Sequence, residues 1–108
     1  MDELEEQFRD ALLEAYRVAA RDCGYHGNYA LRMVGELRAV NAAKRLINAP
    51  APANGFTRLG DCQRLDLTIE AISLRAEFAP LFSPEEQQMA RNRLRDHGYD
   101  PEGQQAGA

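Results

Sequence analysis

Four side chains in this sequence are soft enough to bind zinc, or to pair a nucleophile with its base: Cys23, His26, Cys62 and His97. Cys23-x-x-His26 has the spacing of half a structural zinc site, which normally closes with a second close pair. The other half would have to be Cys62 and His97, 35 residues apart, so no metal centre and no other cofactor is expected. A nucleophilic cysteine needs a base and a lowered pKa. Cys62 instead has Asp61 beside it, and the chain contains neither an oxyanion-hole loop nor a glycine-rich phosphate cradle. An enzyme is therefore not expected.

The densest polar stretch is GFTRLGDCQRLDLTIEA, residues 55–71. Asp66 and Glu70 are four apart and would share a helix face, an arrangement that can do acid–base work or hold Mg²⁺. A structural reading explains the same residues more simply. Asp66 caps a helix, Glu70 sits in its first turn where the helix dipole favours an acid, and Arg64 or Arg58 pairs with a carboxylate. Arg91, Arg93 and Arg95 lie near the C-terminus, with Arg91 and Arg95 one helical turn apart. Such a row could grip phosphates, but arginines also suit a helix C-terminus, so a solvated face is expected.

The charge balance limits partners. The net charge of -4 disfavours non-specific nucleic-acid binding, which needs a cationic footprint. The charge is uneven: residues 1–23 and 66–108 each sum to -4, and residues 24–65 to +4. Arg38, Lys44, Arg45, Arg58, Arg64, Arg91 and Arg95 are accordingly the candidate contacts for an acidic partner. Tyr25, Tyr29 and Tyr99 are not interleaved with bases as a stacking platform requires. The acidic start MDELEEQF is no signal peptide, and no run approaches 18 apolar residues. Two cysteines without an export signal predict free thiols and a cytoplasmic location.

Stepping from these residues to the elements that carry them, apolar spacing predicts helices throughout. Leu4, Phe8, Leu12, Tyr16 and Ala19 mark a long helix over residues 2–22, with Asp2 and Glu5 resembling a capping box and Gly24 as its stop. Asn28 is the predicted cap of a second helix with Tyr29, Met33 and Leu37 inward, interrupted at Gly35. A third runs from Ala39 to Ile47 on Val40, Ala43, Leu46 and Ile47, and APAPAN follows as a loop. Phe56 and Leu59 face inward from a short helix ending near Cys62 or Gln63. Leu67, Ile69, Ile72 and Leu74 form the helix that Asp66 would cap. Ser83, Pro84 and Glu86 spell a capping box with proline at the first helical position. Met89, Ala90 and Leu94 line that helix, and Gly98, Tyr99 and Pro101 end it. No stretch alternates as a strand would. The expectation is one all-α domain over residues 1–99, a bundle of five or six short helices, with residues 100–108 as a disordered tail.

Several words of the second half, Gly55–Leu59, Arg64–Glu70, Leu81–Phe82, Ala90–Leu94 and Gly98–Tyr99, resemble a small helical bacterial module. That module occurs by itself and attached to larger chains. The resemblance covers roughly residues 25–99 and implies an all-helical fold; it brings no known catalytic residues and no activity. The chain departs from it at Gly60, where the module has a bulky residue, and near Glu36–Ala39, where the module has a glycine-rich helix break. The expected function is a non-catalytic protein–protein contact module: an adaptor, a regulatory subunit, or an inhibitor of a larger enzyme such as a mobile-element nucleic-acid enzyme. A second copy of the chain is another candidate partner. The competing reading is nucleic-acid binding through the basic middle third. A membrane is not an expected partner.

Overall fold

The computed structural model describes residues 3–102. Over that span the chain is all-helical: α1 (Glu3–Cys23), α2 (Asn28–Leu37), α3 (Ala39–Asn48), α4 (Asn54–Asp61), α5 (Ile69–Ser73) and α6 (Pro84–Asp96). Two 3-10 segments, Leu65–Leu67 and Ala76–Leu81, complete it. The proposed cap at Asp2 and residues 103–108 of the tail lie outside the described residues. No helix among the described residues is long and apolar enough to cross a membrane.

The apolar spacing of α1 becomes its buried face, with Phe8, Leu12, Ala15, Tyr16 and Ala19 all inside. Its first turn holds Glu3, Glu5 and Glu6 at the positive end of the helix dipole. Gly24, at φ 68°, turns the chain away. α3 runs through the centre, where Ala42 and Ala43 are fully buried and let neighbouring helices approach closely. Phe8 packs edge-on against Phe78 and Phe82 at centroid distances of 5.2 and 5.3 Å. Such pairs add about 0.5–1.5 kcal/mol beyond their buried area. A second, smaller cluster joins Phe56, Leu65 and Leu94, with Tyr99 against it.

Several boundaries differ from the sequence reading. Gly35 lies inside α2, and the break comes at Arg38, whose φ of 73° and ψ of 157° are a conformation that glycine favours. α2 begins after Gly27 rather than being capped by the Asn28 side chain. Tyr29 points outward with 69% exposure, because Ala30, Met33 and Val34 take the buried stripe. Met89 is likewise exposed, and Ala90 and Leu94 alone form the buried face of α6.

The ends of α4 and α6 share one chemistry. The Tyr99 N–H donates to the Leu94 carbonyl and the Gly98 N–H to Arg95, with Gly98 at φ 87°. The Arg64 N–H donates to Leu59 and the Gln63 N–H to Gly60, with Gln63 at φ 60°. Both are six-residue Schellman closures, one with the usual glycine and one without. At the other end of α6 the predicted capping box is present: the Glu86 N–H donates to Ser83 Oγ at 3.1 Å, and the Ser83 N–H to Glu86 Oε1 at 2.9 Å. Asp100–Glu102 pack back onto α6 through Arg91 and Arg95, so these three residues of the expected disordered tail are ordered.

Candidate functional site

The polar residues of segment 64–70 divide their work. Arg64 donates to both Asp66 oxygens, at 3.0 and 3.1 Å, and to Asp22 of α1 at 2.7 Å. Asp66 is therefore not the helix cap. The chain makes a 3-10 turn at Leu65–Leu67, and Thr68 caps α5 with its Oγ1 accepting from the Ala71 N–H at 3.1 Å. The Thr68 hydroxyl also donates to the Leu65 carbonyl at 2.7 Å, so this buried group is satisfied twice.

Glu70 and Asp66 share no site. Glu70 is 3% exposed and accepts from Arg93 of α6 at 3.0 Å. Arg93 also donates to the carbonyls of Leu46, at 3.0 Å, and Ala49, at 2.7 Å. One guanidinium thus neutralises a buried carboxylate and binds the C-terminal end of α3, adding a second donor to the Leu46 carbonyl, which also accepts from the Ala49 N–H, and holding the Ala49 carbonyl. Burial pushes the Glu70 carboxyl above its ordinary range, against the opposing pull of Arg93 and its own backbone N–H. The expected solvated arginine row therefore loses its middle member to the interior. Helical geometry carries the signal for this: Arg91 and Arg95 are one turn apart, and Arg93 projects from the other side of the helix.

Most of the candidate contact residues are engaged within the fold. Lys44 pairs with Glu86 at 2.8 Å, and its ammonium lies 5.3 Å from the Phe82 ring centre. Burial raises Glu86, but Lys44, the Ser83 N–H and the Asn48 amide outweigh it and hold the carboxyl down at about 2. Arg91 and Arg95 both reach Glu102. Arg58 packs its guanidinium over the Tyr25 ring at 5.7 Å. Arg38 and Arg45 are exposed and make no ion pair among the described residues, and the same holds for Arg32 on α2.

The two cysteines are not free thiols. Cys23, at the end of α1, and Cys62, just after α4, form a disulfide across 39 residues of sequence. The free-thiol expectation fails because the fold brings these helix ends together, and no local spacing rule shows that. No three His, Cys, Asp or Glu residues among the described residues are grouped to hold a metal ion. His97 instead meets the Phe56 ring edge-on at 5.0 Å, and His26 is exposed.

A hollow of about 340 Å³ lies between α1, α2, α4 and the start of α5. Leu46, Phe56, Leu59, Leu67 and Ile69 supply apolar wall, and Tyr16, Tyr25, Asn28, Asn54 and Glu70 are among its polar residues. Two glycines shape it. A Cβ at Gly27 would come within 2.7 Å of the Tyr16 ring, and one at Gly55 would overlap the Tyr25 hydroxyl. Burial, with Tyr25 and Glu70 nearby, raises the Tyr16 hydroxyl well above the ordinary phenol range. Tyr16 is thus a neutral hydrogen-bond donor at ordinary pH.

No protein-family model, no curated protein and no solved structure matches this chain.

Proposed function

We propose that the chain is a non-catalytic protein-binding module, an adaptor, regulatory subunit or inhibitor, that meets an acidic partner through its α2–α3 unit. One observation carries this reading. Along α2, α3 and the Arg38 joint between them, Arg32, Arg38 and Arg45 are exposed without an ion pair among the described residues, and α2 also carries the 69% exposed Tyr29. Glu36 is the one acid on these two helices. Arginine and tyrosine are the residues that most often anchor protein interfaces.

The test is capture of partners from host lysate by the tagged chain, with and without nuclease, beside the variant Arg32→Glu/Arg38→Glu/Arg45→Glu. A stoichiometric protein that survives nuclease and is lost in a variant of unchanged helicity supports the reading. Equal capture by both chains refutes it. The nucleic-acid alternative keeps fewer cations than the sequence suggested. Three phosphate contacts would give a log–log salt slope of only about -2.7. Binding that vanishes with nuclease and has a steeper slope would favour that alternative. A cytoplasmic site of action belongs to the main reading and requires the Cys23–Cys62 pair to withstand a reducing pool. Alkylation of intact cells followed by a count of blocked thiols decides that point.

A further inference from the structure

The hollow beside Tyr16 has the volume and wall of a ligand site, and one of its polar groups lacks a protein partner. Its roughly 340 Å³ is about twice the ~150 Å³ apolar cavity that accommodates benzene, and it falls at the small end of known ligand pockets. Tyr16 is 9% exposed, and its hydroxyl makes no hydrogen bond among the described residues. The hydroxyl is not fully buried, Ser73 Oγ being the one fully buried side-chain polar atom without a partner among the described residues, so it is open to an acceptor atom on a ligand. Its electrostatic neighbours, Tyr25 and Glu70, are themselves pocket wall.

Charge narrows the ligand. Glu70 is already neutralised by Arg93, and Arg58 lies over Tyr25. A cation would therefore find no unpaired carboxylate. An anion would have to leave water to face Glu70, with no cation directed at it from the walls. A neutral molecule meets neither cost.

We propose that this pocket binds a small neutral molecule with an apolar body of one or two rings and a carbonyl or hydroxyl oxygen that accepts a hydrogen bond from Tyr16. The apolar body lies against Leu59, Leu67 and Ile69, and the oxygen points toward α1. The pocket borders the α2–α3 contact surface at Tyr29, but the inference rests on the cavity and Tyr16 and not on that reading.

The probes are 2-acetylnaphthalene, which carries the acceptor, and 2-ethylnaphthalene, which has nearly the same shape without it. Methyl NMR spectra of the intact, oxidised chain report on Ile69 and Leu59 in the pocket and on Ile47 in the core. The ketone should shift Ile69 and Leu59 saturably and leave Ile47 in place. Tyr16→Phe keeps the ring and should melt no lower than the parent, because the hydroxyl it removes has no protein partner. It should weaken ketone binding by about five- to tenfold, the net worth of one hydrogen bond, and leave hydrocarbon binding unchanged. The proposal is overturned if neither probe gives saturable shifts, which would leave the pocket to water. It is equally overturned if Tyr16→Phe affects both probes alike or neither, or if the shifts fall outside the pocket.

Discussion

Reduction of the Cys23–Cys62 bond should remove a large share of this protein's stability. The bond closes a loop across 39 residues of sequence that contains α2, α3 and α4. In the chain-entropy description such a loop restricts the unfolded chain by about 13 cal/mol/K, or about 4 kcal/mol at 25 °C. Both cysteines are only half-buried, so little packing is lost with the link. Small domains have total stabilities of about 5–15 kcal/mol, so most of a marginal domain's reserve is involved. With an unfolding entropy of about 2.1 cal/mol/K per residue, the midpoint should fall by about 15–20 °C. The assay is thermal unfolding by circular dichroism with and without a phosphine reductant, beside the variant Cys23→Ser/Cys62→Ser. Reduced parent and variant should melt together, and the variant should ignore the reductant. A reduced parent that melts within a few degrees of the oxidised one would refute the reasoning. It would mean either that the bond does not form or that the unfolded chain is already compact in this region.

Three further outcomes follow from the ion pairs and the backbone. Glu70→Ala should cost about 3–5 kcal/mol by leaving Arg93 buried and unpaired, and Glu70→Gln, which retains an acceptor, clearly less; similar losses in urea unfolding would argue that the pair is not buried. Glu86 is held below its ordinary value of 4.5 in the folded chain, so its contribution is present above that pH and is lost as pH falls toward about 2. Glu86→Gln should remove that slope from an acid titration of stability, and an unchanged slope would assign it to other carboxylates. Arg38→Gly relieves a backbone conformation costing about 1–3 kcal/mol, less about 0.5–1 kcal/mol for glycine's greater freedom when unfolded. It should gain about 0.5–2 kcal/mol, and a loss in denaturant melts would show that the arginine side chain contributes more than its backbone strain costs.

Helix content and most of the core could be read from sequence because they depend on local spacing. Phe8, Leu12 and Tyr16 recur at helical intervals, and Ser83-Pro-Glu-Glu86 is a self-contained start signal. The errors arose where the outcome depends on a distant partner. Asp66 and Thr68 are both good caps two residues apart. Arg64 draws Asp66 away through a contact that also involves Asp22, 42 residues distant from that arginine. Arg93 looked like its neighbours because its partners, Leu46, Ala49 and Glu70, lie on other helices. Tyr29 and Met89 sit at the edges of apolar stripes, where period alone does not decide which residue turns inward. The pocket was not visible at all, since its walls come from residues as far apart as Tyr16 and Glu70.

The position of Arg93 also bears on synthesis. The ribosome adds residues from the N-terminus at about 5–20 per second, so α6 is the last helix to emerge. Until it does, Glu70 lacks the Arg93 countercharge and the Ala49 carbonyl lacks its Arg93 donor. A nascent fragment ending before Pro84 therefore leaves α3 and α5 waiting for a side chain not yet made.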